Sequence, residues 1–427
     1  MTVNMPIDRR KALVIAAAIV GRILVFAFFP QLPELLTGQV EVSTPVTSYK
    51  RLQEGLFLYI RDVSPYEGGI FHQAPLLLPL FSLLPGRSSI SLTTGLLYTL
   101  MDLANANALA KIADSGEAVS SRLFTSPRKG TRLDGAALSI AYLFNPFTIA
   151  GCLGRSTSAF TNTAIVHAVS NAVTGSPFRA MFALALASYL SMYPILLFPP
   201  LALLCWDQAV QKSNQKVGGL NMGMNLTASL FACINGFLWL SFMVMGGSWE
   251  FLSATYGFHL SVPDLTPNVG LWWYFFIEIF DSFREFFLGT FWLQLVAYVG
   301  GLTLRVRRQP LFIITTLLGL FAIFKPYPSI SDVSLYLAFV PLYKHIFPLM
   351  RYTFIATSVM LYASLLGPAF YHLWIYAGSG NANFFYAITL VWSLGLSMLV
   401  GDMLFAVLRD EWEVERPEMK GKEIKRI

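Results

Sequence analysis

Long apolar runs separated by short polar stretches set the pattern of this chain. They cover residues 12–29, 90–110, 133–150, 160–173, 179–206, 226–246, 287–304, 311–324, 333–349, 352–368 and 384–408. About 20 consecutive apolar residues cross the hydrocarbon core of a bilayer as a helix. The pattern therefore predicts an all-α, polytopic membrane protein. Run 12–29 follows Arg9-Arg10-Lys11, lacks a small-residue cleavage site and carries Arg22 in its middle. It reads as an uncleaved span rather than a signal peptide.

Three stretches depart from simple spans. In 267–294, Glu278, Asp281, Ser282 and Glu285 share one face at helical spacing, while Trp272, Trp273, Phe276, Phe280, Phe283 and Phe287 cover much of the rest. That pattern predicts a helix lying flat at a membrane surface, with a bend near Gly289 into a true span. An ordinary aromatic belt anchoring that span is the simpler alternative. In 49–61, Tyr49, Leu52, Leu56, Tyr59 and Ile60 keep helical spacing while Lys50, Arg51, Glu54 and Arg61 lie elsewhere, which predicts a second flat helix. Run 74–84 holds Pro75 and Pro79 and is too short to span, so a re-entrant or interfacial element is expected there. Run 179–206 is broken by Tyr193-Pro194 and Pro199-Pro200, and is either one kinked span or two half-length helices.

Composition agrees with the pattern: 55% of residues are hydrophobic and 13% charged, against roughly 25% charged in a soluble domain. Mean hydropathy is +0.58. The net charge of +6 matters through its distribution. If 74–84 does not cross and 179–206 dips in and returns, one membrane side holds 22 of the 30 Lys and Arg and the other holds 7, with Arg22 inside the membrane. Letting 74–84 cross inverts that balance. The positive-inside rule selects the first arrangement: about ten spans, both termini cytosolic, and lumenal elements at 30–89, 247–286 and 371–383. A cytosolic tail follows at 409–427, and 1–427 reads as a single domain. The lone sequon, Asn225-Leu226-Thr227, is then cytosolic.

Catalytic motifs are lacking. There is no P-loop, G-x-S-x-G or H-E-x-x-H, and no zinc-spaced Cys/His set. Cys152, Cys205 and Cys233 sit in or beside apolar runs, which implies no disulfide framework and no metal site. No metal or cofactor is expected, and nothing indicates nucleic acid. The notable polar residues are intramembrane: Arg22, Asp102 with its neighbour Asn105, and Asp402. Arg22 faces the bundle or snorkels; Asp102 has either a hydrogen-bonded structural role or a ligand role; Asp402 lies near the cytosolic end.

Five blocks in order along the chain carry a resemblance: EVSTPVTSYKRLQEGLFLYIRDVSPYEGGIFHQAPLLLPLF (41–81), FNPFTIAGCLGRST (144–157), PNVGLWWYFFIEIFDSFREFF (267–287), FKPYPSISDVSLYLAFVPLYKH (324–345) and HLWIYAGSGNANFFYAITL (372–390). The chain resembles the U-subunit family of the glycosylphosphatidylinositol (GPI) transamidase. That resemblance implies a non-catalytic subunit of the endoplasmic-reticulum membrane complex that attaches GPI anchors to proteins. The partners it implies are the other subunits, including a separate caspase-like cysteine-protease subunit that does the chemistry, together with the GPI lipid. It also implies a scaffold like that of the polyprenol-phosphate-sugar-dependent glycosyltransferases. Those keep an acidic pair in the loop after the first span, where this chain reads Glu41-Val42-Ser43. The alternative function is an active polyprenol-phosphate-mannose-dependent mannosyltransferase with Glu41 or Asp62 as base and a divalent metal. For lipid binding the expectation is a groove along 272–287. Trp272, Trp273, Phe276 and Phe280 line its apolar side, and Arg284 pairs with phosphate.

Overall fold

The computed structural model describes residues 9–84, 90–212, 218–419 and 421–422. Among these residues there is no β-strand, only an isolated bridge between Ser120 and Thr125. The helices are α1 (Arg9–Phe28), α2 (Gln31–Thr37), α3 (Tyr49–Tyr59), α4 (Leu77–Ser82), α5 (Ile90–Ser115), α6 (Gly135–Leu143), α7 (Pro146–Leu153), α8 (Ser158–Val173) and α9 (Pro177–Leu190). They continue with α10 (Phe198–Lys212), α11 (Gly219–Val244), α12 (Phe258–Ser261), α13 (Trp272–Glu278), α14 (Asp281–Arg305), α15 (Pro310–Phe324), α16 (Ile330–Phe339), α17 (Thr353–Ile375) and α18 (Ala382–Glu415). Their starts follow capping chemistry. Ser48, Asp134, Asn145 and Asn381 accept backbone N–H groups at the heads of α3, α6, α7 and α18, and Ser329 with Asp332 closes a capping box on α16.

Among the described residues, five helices are long and apolar enough to cross a membrane, or up to seven if each of two bent pairs counts as one span. This is fewer than the ten spans the runs predict, and the reason is visible in the interior. Helix α15 has 15 residues, nearly all buried, and α8, α9 and α16 are also short. Run 133–150 is not one helix, because Asn145-Pro146 bends α6 against α7 by 56°. Run 333–349 passes from α16 into a tight 3-10 segment at Val340–Leu349.

The pro-rich run 179–206 forms two antiparallel helices, with the break at Ser191 and Met192. Gly175, at φ 72°, turns α8 into α9, and the Lys212 ammonium at the end of α10 donates to the Thr174 carbonyl at 2.6 Å. The start of α9 and the end of α10 therefore share one end of the bundle. Helix α3 buries Tyr49, Leu52 and Gly55 and turns its charged residues outward, as its periodicity predicts. Only six residues of 74–84 are helical, which leaves that element far too short to span.

Stretch 267–294 differs from its prediction. Ile279 and Phe280 are extended (ψ 148° and 137°), so the chain breaks there, and Gly289 lies inside α14. Trp272 packs on Phe291 and Trp292 of α14 (ring centroids 5.1 and 5.7 Å) and Phe276 on Phe291 (5.7 Å), folding α13 back onto α14. Aromatic burial of this kind outweighs the few helical hydrogen bonds lost at the break. Glu278 consequently leaves the face that Asp281, Ser282 and Glu285 share.

One end of the bundle is tied by ion pairs. Asp207 is held by Arg122 (2.8 Å) and Arg307 (3.1 Å), and both guanidiniums lie over the Trp206 ring. Arg128 reaches Asp410 and Glu413 on α18, and Arg308 pairs with Glu415. This is the end that the basic residues predict to be cytosolic.

Candidate functional site

A cavity of about 810 Å³ opens between α17 and α18 on one side and α2, α7 and α16 on the other. Its volume lies within the range typical of small-molecule sites. Along α18 it runs from Phe385 to Leu399, fourteen helical steps, or about 21 Å at the helical rise. The walls are apolar, and their hydroxyls do not change that. Thr357, Ser364 and Thr389 each donate to a carbonyl of their own helix, at Thr353, Leu361 and Tyr386. Small residues make the room: Ala150, Ala363 and Gly367 line the space, and a Cβ added at Gly367 would meet no atom within 4 Å.

Glu41 is the one charged residue lining the cavity. Its backbone carbonyl accepts from the Ile330 N–H (2.9 Å), fixing the 38–48 loop to the head of α16. Its Oε1 is buried without a hydrogen-bond partner, and burial pushes the carboxyl above its ordinary range. The site is thus a long apolar slot with a single carboxyl at one side. Such a shape suits an acyl chain and offers little to a sugar or a peptide.

A scan against family models matches residues 16–392 to "GPI transamidase subunit PIG-U". The chain is 38% identical over 416 residues to the human "GPI-anchor transamidase component PIGU", covering 94% of each chain. It is 35% identical over 405 residues to the Saccharomyces cerevisiae "GPI transamidase component GAB1", covering 94% of this chain and 95% of that one. The chain belongs to the PIG-U family.

Within this PIG-U family member the residues predicted from sequence fall into two groups. Arg22, Asp102 and Asn105 come together as one buried network. Arg22 faces the bundle, pairs with Asp102 at 3.1 Å and donates to the carbonyls of Ala18 and Leu143. The Tyr142 hydroxyl donates to Asp102, and the Asn105 amide donates to Tyr142 and to Thr163. The Arg22–Asp102 pair is satisfied inside the protein, while the Asn105 Oδ1 is buried without a partner; removing one member of such a pair leaves an uncompensated buried charge, at roughly 3–5 kcal/mol. Asp402 acts likewise, accepting the N–H groups of Arg351 and Tyr352 ahead of α17.

The predicted lipid groove along 272–287 is not an open groove. Trp272, Trp273 and Phe276 are 2%, 1% and 4% exposed, whereas Phe280 is 78% exposed. The Trp272 indole donates to the Phe324 carbonyl, and Trp273 packs on Phe385 with ring centroids 6.0 Å apart. Phe385 itself lines the cavity. The aromatic stretch therefore braces the cavity wall from behind. Arg284 lies over the Phe276 ring and donates to the carbonyls of Ser261 and Val262, the latter a left-handed residue at φ 48°. Through Nη2 its guanidinium clamps a turn.

Glu41 and Asp62, the carboxylates a mannosyltransferase reading needs, stand in different settings: Glu41 in the cavity wall, Asp62 exposed in the turn that ends α3. Among the described residues no group of three or more His, Cys, Asp or Glu side chains gathers as a metal site. The cavity is what sequence reading missed. Gly367 and Ala363 in an otherwise bulky run were a faint signal, but the slot exists only where six distant segments meet.

Proposed function

We propose that this chain is a non-catalytic membrane subunit of a GPI transamidase that holds an acyl chain of the GPI lipid in the α17–α18 cavity. The chemistry then falls to a separate caspase-like subunit. The observation that carries the reading is the slot itself, about 810 Å³ and apolar along about 21 Å. The bilayer already holds lipid tails in hydrocarbon, so the slot favours an acyl chain through close packing of its walls rather than through removal of CH2 groups from water. Membership in the PIG-U family supports the choice of GPI over other lipids.

The reading carries a topology and a scaffold. The chain sits in the endoplasmic-reticulum membrane with ten spans and both termini cytosolic, on a framework like that of polyprenol-phosphate-sugar-dependent glycosyltransferases. The ion-paired end faces the cytosol, and α3, α4 and the 247–280 segment face the lumen. The basic asymmetry of 22 to 7 supports that orientation.

Filling the slot tests the reading. Gly367→Phe combined with Ala150→Leu places side chains into open space rather than into a packed core. The complex is expected to assemble at its normal yield while anchor attachment falls at least about tenfold, since each 1.4 kcal/mol of lost lipid affinity is a factor of ten. Normal attachment by a normally assembled double variant would overturn it.

A further inference from the structure

Four cationic side chains are buried among the described residues: Arg22, Arg155, Lys325 and Arg409. Three of them face a carboxylate, in the pairs Arg22–Asp102, Lys325–Asp332 and Arg409–Glu413. Arg155 does not. It is 6% exposed, and its Nε is buried without a hydrogen-bond partner. The undescribed stretch 85–89, which precedes α5 in sequence, contains no Asp or Glu to serve it.

The fold takes trouble to put this guanidinium where it is. Arg155 is left-handed at φ 54°, a conformation that costs a non-glycine residue, and the turn is held from both ends. Its N–H donates to the Cys152 carbonyl at 3.1 Å, and its carbonyl accepts from the Tyr98 hydroxyl at 2.7 Å. The guanidinium lies over the Tyr49 ring, 5.1 Å from its centroid. The hydroxyl of Tyr49 has Arg155, Thr94 and Gln53 as its hydrogen-bonding neighbours. The Tyr49 ring and hydroxyl are neutral neighbours that leave the cation without an anion among the described residues. A buried charge is costly unless paired, so the site favours an anion supplied from outside the chain.

We propose that Arg155 is the anchor of a second lipid site, separate from the α17–α18 cavity, which binds the phosphate of a membrane phospholipid. A phosphate diester is a monoanion whose oxygens match the planar guanidinium fork, with the hydroxyl of Tyr49 as a further donor. Depth favours a lipid over a free ion. Thr94 and Tyr98 lie one to two turns inside α5, beside the flat helix α3 and the short α4. Exposed Gln53 marks the open side, and α4, which packs on α3, exposes Leu80 and, just beyond its end, Leu83.

The test uses the full chain in its assembled complex, purified in dodecyl maltoside and titrated with phosphatidylglycerol, with bound lipid counted by native mass spectrometry. The wild type is expected to retain one more phosphatidylglycerol than Arg155→Met, and Arg155→Lys to hold that lipid about tenfold more weakly. Inorganic phosphate at millimolar concentration should leave the count unchanged. Gln53→Trp obstructs the open side while leaving the buried cation in place, so it should lose the same lipid even if Arg155→Met does not assemble. Equal lipid counts in the wild type, Arg155→Met and Gln53→Trp would overturn the site. Displacement by inorganic phosphate would overturn the lipid source and leave a free-anion site.

Discussion

Glu41 links one side chain to the stability of the whole subunit. Burial in the cavity wall raises its pKa above 4.5, so the folded chain holds this proton more tightly than the unfolded chain does. The contribution to stability is present at low pH and is lost as pH rises from 4.5 through the raised value. Melting the complex across that window should show the wild type losing stability as pH rises, with Glu41→Gln showing a flatter profile. Anchor attachment by Glu41→Gln should stay within a few-fold of wild type, because a true general acid–base group contributes roughly 100- to 10,000-fold. A loss of that size with intact assembly would favour transferase chemistry instead. Single residues were only partly legible beforehand. That Arg22 and Asp102 face the bundle follows from the cost of charge in hydrocarbon, but their pairing across eighty positions needs the fold. Arg284 misleads for the same reason: a lone cation among carboxylates looks available until the carbonyls of Ser261 and Val262 claim it.

The elements show where periodicity succeeds and where it fails. Helix α3 forms where its spacing predicts a helix, burying Tyr49 and Leu52 and exposing Lys50 and Glu54, while Ile60 at its end is exposed. Stretch 267–294 fails because its rings satisfy each other, with Trp272 and Phe276 packing back on Phe291 across a break that no glycine or proline announces. The break separates Glu278 from the face of Asp281 and Glu285, yet all three carboxylates stay at the surface. Glu278, Asp281 and Glu285 are exposed at the junction of α13 and α14. Replacing all three with Lys should reduce co-purification of the partner subunits several-fold. Lipid capture in the cavity should persist in whatever complex does form. Undiminished assembly would make this surface a solvated edge rather than a docking face.

Across the molecule, the apolar runs make the all-α membrane class plain, yet they cannot set the span count. An interior helix such as α15 is surrounded by protein and need not be long enough to meet both headgroup layers. Orientation is better served by charge, since the ion-paired end gathers Arg122, Arg128, Arg307 and Arg308. Glycosylation sites engineered near Ser253 and Gly380 should therefore be modified, and sites within 115–130 should not; the reverse pattern would invert the topology. The cavity stayed hidden because its walls come from residues 35 to 399 and no local pattern marks a space. Photocrosslinking to a GPI analogue within the assembled complex tests its role most directly. With a diazirine residue placed at Met360 in the cavity wall or at exposed Phe280, the analogue's acyl chain should be captured from position 360 and not from 280. Capture from 280 with none from 360, in a complex that assembles normally, would place the lipid outside the cavity.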